Sequence, residues 1–227
     1  MSGWSLFIDT FFRPDLVTQY LPAILKAVTI TVQVAVLIVA TGLASGLMLA
    51  VARSFGLRTV NLCIIIFADV FRTLPPLVLV LLVYFGLPNV GLTLPSFAVL
   101  WLVLSVVLSA FAEEILWAGI LSVRRGQWEA ARSTGLNFVQ TLAYVVLPQA
   151  IRLTIPPLTN RSIVITKNVA LGSVIGVPEI LNVATTAQSF VGNCTPLTLG
   201  AICYVVLFIP VVLLGRWVET QFAWGRA

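Results

Sequence analysis

The chain contains stretches of uncharged, apolar sequence that are long enough to cross a lipid bilayer as helices. No charged residue occurs from 27 to 52, and none lies between Arg72 and Glu113. A helix needs about 20 apolar residues to cross roughly 30 Å of hydrocarbon. Only 9% of the residues are charged, whereas soluble domains carry about 25%. The sequence therefore predicts an all-α, polytopic membrane helical bundle rather than a water-soluble domain.

Five spans can be delimited along the chain. The uncharged stretch before Glu113 is too long for one helix, and a cluster of Gly, Pro and Asn from 86 to 95 divides it into the end of one span and the start of the next. The predicted spans are 27–52, 62–85, 96–123, a segment that follows Pro156 and Pro157 and reaches 177, and 197–215. We expect residues 1–227 to form one membrane domain, with 124–156 as a loop within it.

The distribution of Lys and Arg predicts the orientation, because these residues prefer cytoplasmic loops. The two loops at 87–95 and 178–196 contain no Lys or Arg. We therefore expect the N-terminus outside and the C-terminus in the cytoplasm. The arginines predicted to lie inside are Arg53, Arg58, Arg124, Arg125, Arg132, Arg152, Arg161, Arg216 and Arg226.

The loop at 124–156 is the longest polar segment, and its composition predicts two short helices joined by a corner. Helix formers surround Glu129, and Gly135 is placed where a left-handed residue would end the first helix. Asn137 is placed to cap the second helix, which we expect Pro148 to stop or kink. From periodicity alone, an amphipathic connector on the bilayer surface is an equally good interpretation.

The residues of this loop closely resemble the EAA motif of ABC importer permeases. The motif consists of Glu129-Ala130-Ala131, Gly135 ten residues before Val145, and Leu147-Pro148. Outside the loop, Phe71-Arg72-Thr73-Leu74-Pro75 resembles the FRGTP element of the polar amino acid and opine uptake permeases. Glu114-Ile115 with Gly119-Ile120 resembles their EIxRGGI element, in which Trp117 stands in place of the usual arginine. Lys167-Asn168-Val169-Ala170-Leu171 stands in place of a typical KDTSL.

The resemblance implies a type I ABC importer permease fold in a bacterial inner membrane. It implies that the loop docks into a cytoplasmic ATPase dimer, which binds ATP and Mg²⁺, while this chain holds no cofactor. The other partners implied are a second identical or homologous permease, an external solute-binding protein and an amino acid or opine substrate. The residues expected to couple transport to the ATPase are Gln127, Glu129, Ala130, Ala131, Gly135, Leu147 and Pro148.

Charged residues within the predicted spans mark a possible substrate path. An intramembrane charge costs at least about 2.5–3.5 kcal/mol on insertion scales, so it is expected to face a cavity or a partner. For a zwitterionic amino acid, Arg72 is a candidate for the carboxylate and Glu114 for the ammonium. The alternative is a structural network in which Asp69 pairs with Arg72, or Glu114 with Lys167. The predicted path residues are Asp69, Arg72, Glu114, Lys167 and Asn168.

Several other functions are disfavoured by residues that the sequence lacks. The chain contains no histidine, and its three cysteines show no metal-binding spacing, so an enzyme with an imidazole base or a metal site is not expected. It has no GxxxxGK[ST] nucleotide loop, and no basic cluster on a soluble element that would bind nucleic acid. Charges at 9, 13 and 15 interrupt the first apolar run, so a cleaved signal peptide is not expected. An ion-coupled amino acid carrier or channel remains the alternative function.

Overall fold

A computed structural model describes residues 3–222 of the chain, and within that range every regular element is helical. Arg226 lies outside the described residues. The α-helices are α1 (Gly3–Phe11), α2 (Pro14–Ser54), α3 (Arg58–Thr73), α4 (Pro76–Gly86), α5 (Ser96–Ser122), α6 (Arg125–Ser133), α7 (Phe138–Thr141), α8 (Leu147–Lys167), α9 (Ile180–Val191) and α10 (Thr195–Phe222). Two 3₁₀ helices occupy Leu87–Val90 and Asn168–Ile175, and a π-helical turn occupies Leu142–Val146.

The helices include enough long apolar segments to span a membrane. Four candidates are Gly3–Ser54, Ser96–Ser122, Phe138–Ile175 and Thr195–Phe222, and α3 with α4 makes a fifth when the two are counted as one broken span. The predicted span at 62–85 is therefore not one helix. Leu74 is extended, with φ −79° and ψ 136°. A residue that precedes a proline is disfavoured in the α conformation, and Leu74 is followed by Pro75 and Pro76.

The fourth span begins much earlier than the prolines that were expected to precede it. Pro156 and Pro157 lie inside α8, which continues to Lys167 without a loop. Membrane helices tolerate proline where neighbouring groups satisfy the freed backbone carbonyls. Arg152 and Arg161, which were both predicted to lie inside, are part of α8.

Helix α2 is buried along a single stripe of residues that runs down its length. Its buried positions recur every three or four residues, whereas the remaining faces expose apolar side chains such as Val36 and Met48. That spacing places the buried positions on one face of an α-helix. The buried positions of α2 beyond its first turn are Ile24, Ala27, Thr31, Val34, Ile38, Gly42, Gly46 and Ala50.

The helices belong to two compact units, each built from separate stretches of sequence. The first unit comprises residues 3–38, 76–104 and 166–212, and the second comprises 39–75, 105–165 and 213–222. Helices α2, α5, α8 and α10 each contribute to both units.

In the first unit, Glu179 organises the start of α9. Its fully buried carboxylate accepts hydrogen bonds from the backbone N–H groups of Leu181 and Asn182, at 2.9 and 2.7 Å, and from the Tyr204 hydroxyl at 2.6 Å. Burial raises the pKa of this carboxyl, although all three hydrogen bonds oppose the shift. The backbone N–H of Ile180 donates to Thr31 Oγ1 at 3.3 Å, which joins α9 to α2.

In the second unit, α2 and α5 approach closely through glycine. A Cβ atom placed on Gly46 would lie 2.5 Å from the Ala112 Cβ and 2.9 Å from the Ser109 carbonyl oxygen. Any larger residue at position 46 would have to displace backbone. The apolar core beside this contact holds the 124–150 region against α2 and α5, and its buried members are Ala50, Ala112, Leu116, Ile120, Val123, Leu142, Val146 and Ala150.

Candidate functional site

The polar loop of the second unit forms the predicted helix, corner and helix. The first helix is α6, and it presents Gln127, Glu129 and Ala130 to solvent while Ala131 is buried. Glu129 takes part in no ion pair among the described residues. The exposed face of α6 therefore offers a carboxylate and a small side chain to a partner surface.

The corner between α6 and α7 depends on two local conformational devices. Gly135 has a φ of 91°, a left-handed conformation that glycine adopts far more readily than other residues. Asn137 and Gln140 then form a reciprocal capping box: the Gln140 N–H donates to Asn137 Oδ1 at 2.9 Å, and the Asn137 N–H donates to Gln140 Oε1 at 3.0 Å. The predicted left-handed corner and the predicted cap are both confirmed.

Aromatic side chains hold this corner on the core of the second unit. The rings of Trp128 and Phe138 stack with centroids 5.7 Å apart, and Phe55 meets Phe138 edge-on at 5.6 Å. Trp128 belongs to α6 and Phe138 begins α7, so the stack braces the two helices on either side of Gly135. These aromatic residues were not predicted to form part of the site, although two large rings flanking a glycine corner are a recognisable signal for such a brace.

The end of the motif adopts an unusual helical geometry. The backbone widens into a π turn at Leu142–Val146 immediately before Leu147 and Pro148, and the helix continues as α8. In a regular α-helix the proline ring would clash with the carbonyl four residues earlier, and the wider turn relieves that conflict. Pro148 therefore does not stop the helix, which continues past it as α8. The Gln149 side chain donates to the Val145 carbonyl at 2.7 Å and to Gln127 Oε1 at 3.4 Å, so it links α8 back to α6.

A buried ion pair lies beside this loop in the second unit. Arg53 Nη1 donates to Glu113 Oε1 at 2.9 Å, and the side chains are 14% and 0% exposed. The Arg53 guanidinium also lies 4.8 Å from the ring centroid of Trp117. This pairing was not predicted from the sequence, because it depends on the register between α2 and α5.

A second group of charges in the same unit contains three of the predicted path residues. Arg72 Nη1 donates to Glu114 Oε2 and lies 4.0 Å from Asp69 Oδ1. The side chains of Arg72, Glu114 and Asp69 are 31%, 48% and 66% exposed. Arg72, not Lys167, is thus the partner of Glu114, and the carboxylate of Asp69 is the least engaged group of the three.

Arg161, in α8, lies beside this charge group. Its guanidinium carbon lies 3.1 Å from the ring centroid of Phe111, and the guanidinium carbon of Arg72 lies 5.8 Å from the same centroid. Phe111 therefore has two arginines over one ring.

The two remaining path residues belong to the first unit. Lys167 ends α8 with an exposed side chain, and its Nζ lies 6.0 Å from the ring centroid of Phe208. Asn168 begins the 3₁₀ helix Asn168–Ile175. Within the described residues, no cluster of cysteine and acidic side chains has the geometry to hold a metal ion, and Cys63, Cys194 and Cys203 are free thiols.

The contact between Arg72 and Glu114 is expected to support the fold. Replacing Arg72 by methionine leaves two carboxylates without their direct counter-charge, so we expect a lower melting temperature of the detergent-solubilised protein. The double variant Arg72→Met, Glu114→Gln should recover most of the loss, since it removes both members of the bonded pair.

The matched control is Arg72→Met combined with Asp69→Asn. Because Asp69 is only at the limit of contact with Arg72, this combination should recover less. Equal recovery by the two double variants would show that Glu114 is not the main partner of Arg72.

Comparisons with known proteins agree with this architecture. Residues 42–223 match the family described as "Binding-protein-dependent transport system inner membrane component". The chain is 36% identical over 156 residues to a probable glutamine ABC transporter permease protein of Bacillus subtilis (strain 168), covering 68% of this chain and 72% of that protein. It is 32% identical over 196 residues to a glutamine transport system permease protein of Escherichia coli (strain K12), covering 85% and 89%. The crystal structure of an amino acid ABC transporter with histidines superposes with a TM-score of 0.82 at 32% identity, covering 90% of this chain and 96% of that one.

Proposed function

The chain belongs to the family of binding-protein-dependent transport system inner membrane components, and on that premise we propose that it carries a polar amino acid or opine inward as the permease subunit of an ATP-driven importer. Family membership favours this function over an ion-coupled carrier or channel. The amino acid substrate is supported by the relatives, several of which are permeases for glutamine or arginine.

The observation that carries the proposal is the braced corner around Gly135. We assign docking on a separate ATPase dimer to Gln127, Glu129, Ala130 and Ala131 of α6. The ATPase supplies the ATP and Mg²⁺ sites. A capping box and an aromatic stack make the corner stiff, so movement of a docked α6 is passed on to α7 and α8 as a rigid-body displacement. Gly135, Leu147 and Pro148 set the direction in which that displacement is passed on.

The remaining partners are a second identical or homologous permease and an external solute-binding protein. Helix α10 supports a contact with lipid or with another permease, because one of its faces exposes a continuous series of apolar side chains: Ile202, Val205, Val206, Ile209 and Leu213. The solute-binding protein delivers the substrate on the opposite side of the membrane from the ATPase.

We place the N-terminus outside and the C-terminus in the cytoplasm, which puts α6 on the side of the ATPase. In a variant without native cysteines, single cysteines at Asn89 and Ser189 should react with an impermeant thiol reagent added to intact cells. A cysteine at Ser133 should react only after the membrane is permeabilised. All three positions are exposed, so access across the membrane decides the result. Labelling of Ser133 alone in intact cells would reverse the orientation and remove α6 from the ATPase side.

Reconstitution tests the transport function directly. Proteoliposomes would contain the chain with its cognate ATPase and solute-binding protein, and uptake of labelled L-glutamine, L-arginine and L-cystine would be measured with and without ATP. We expect uptake of at least one of these amino acids that requires both ATP and the ATPase. Uptake that is driven by an ion gradient and persists without the ATPase would overturn the importer assignment in favour of the carrier.

A further inference from the structure

Arg161 is a cation inside a membrane-spanning helix without a direct anionic partner. No ion pair among the described residues includes it, and its buried Nε has no hydrogen-bond partner. The Phe111 ring under the guanidinium supplies a cation–π contact. Such a contact fixes the position of the guanidinium but does not use its in-plane N–H donors, and those donors bind a carboxylate well.

The neighbouring charges divide into a satisfied pair and an unsatisfied pair. Arg72 and Glu114 are hydrogen-bonded to each other, and their opposite charges neutralise each other. Arg161 is left without a carboxylate, while the exposed carboxylate of Asp69 comes no closer than 4.0 Å to Arg72. Two arginines and two acids make the group neutral overall, so a neutral zwitterion can enter it without leaving a net charge in the membrane.

We propose that Arg161 binds the α-carboxylate of the transported amino acid and that Asp69 binds its ammonium. The assignment rests on the proposed function. Arg72 and Glu114 are positioning residues in this scheme, because Arg72 lies 4.0 Å from Asp69 Oδ1 and over the same ring as Arg161. The planar guanidinium of Arg161 suits a bidentate contact with a carboxylate, which a lysine cannot reproduce.

The test measures binding to the purified permease–ATPase complex without the solute-binding protein, so that recognition by that protein does not contribute. The ligands are the amino acid that supports uptake among L-glutamine, L-arginine and L-cystine, and its α-carboxamide, compared by equilibrium dialysis. In the wild-type complex the carboxamide should bind at least tenfold more weakly. Arg161→Gln should weaken binding of the amino acid by at least tenfold and leave binding of the carboxamide unchanged, so that the two ligands become equivalent.

Three further variants separate the possible roles. Arg152→Gln removes an exposed arginine of α8 that forms no ion pair in the described chain, and it should bind both ligands as the wild type does. Asp69→Asn should weaken both ligands equally, because both carry the ammonium. Arg161→Lys should recover only part of the amino acid affinity that is lost in Arg161→Gln, since an ammonium replaces the planar guanidinium.

Three results would overturn the proposal. Unchanged binding of the amino acid to Arg161→Gln would remove Arg161 from the site, and equal weakening of both ligands would make its role structural. Unchanged binding together with loss of co-purified anionic phospholipid would identify a lipid headgroup as the anion at Arg161. Each of these results would leave ATP-driven uptake intact as a function, whereas failure of all three amino acids in the uptake assay would overturn the proposed function itself and this site with it.

Discussion

Replacing Arg53 by methionine is expected to cause the largest loss of stability among the changes considered, because it leaves the carboxylate of Glu113 fully buried and without its counter-charge. Breaking a buried ion pair in this way costs about 3–5 kcal/mol. We expect the variant to give little folded protein on size-exclusion chromatography in detergent, and a lower melting temperature for what remains. Arg58→Met is the matched control, since Arg58 is exposed and forms no ion pair in the described part of the chain.

A second-site change tests why Arg53 is needed. Position 117 lies one turn after Glu113 in α5, and Trp117 occupies the place where the EIxRGGI element usually has arginine. Trp117→Arg in the Arg53→Met background returns a guanidinium to the reach of Glu113, so it should restore much of the folded yield. Wild-type stability of Arg53→Met would show that the Glu113 carboxyl needs no counter-charge. Failure of the second change to rescue would show that a guanidinium at position 117 does not replace the bond from Arg53 to Glu113.

Replacing Gly135 by valine should abolish coupling while the membrane helices remain folded. A β-branched residue at a φ of 91° is strained by about 1–3 kcal/mol, and the corner is expected to relax to another conformation that moves α6. No side chain or backbone atom lies within 4 Å of a Cβ at this position, so the effect comes from backbone conformation and not from a clash. We expect substrate-stimulated ATP hydrolysis and uptake by the reconstituted complex to fall at least tenfold.

Gly56 provides a control of the same kind in a different loop. It has a φ of 70° and an equally open surrounding, but it joins α2 to α3. Gly56→Val should therefore retain more uptake than Gly135→Val at similar melting temperatures. If Gly135→Val kept full substrate-stimulated ATPase activity, the loop from α6 to α8 would have no part in coupling.

The accuracy of the sequence predictions depended on how local the responsible interactions are. The left-handed Gly135 and the Asn137 cap follow from contacts among neighbouring residues, and both were predicted. The bonds from Arg53 to Glu113 and from Arg72 to Glu114 join residues 60 and 42 positions apart. The register of α2 on α5, which brings Arg53 to Glu113, depends on close packing such as that of Gly46 against Ala112, which no periodicity reveals.

The largest errors in the predicted helix boundaries occurred at prolines. From the sequence, Pro148 was expected to stop or kink a helix, and Pro156 and Pro157 were expected to precede the fourth span, yet all three lie within α8. Leu74 before Pro75 does interrupt the predicted second span. A proline removes one hydrogen bond in either case, and surrounding structure decides whether a helix absorbs that loss.

The π turn at Leu142–Val146 makes room for one extra residue between the corner and the long helix that follows it. A π turn holds one residue more than an α turn, so the extra residue is taken up within the turn and the helices on either side keep nearly the same rotational phase. Deleting one residue from Leu142–Val146 would therefore leave a continuous α-helix, in which the ring of Pro148 would meet the carbonyl four residues earlier. The surplus residue acts as a spacer for that proline, so the length of this segment is as much constrained as its composition.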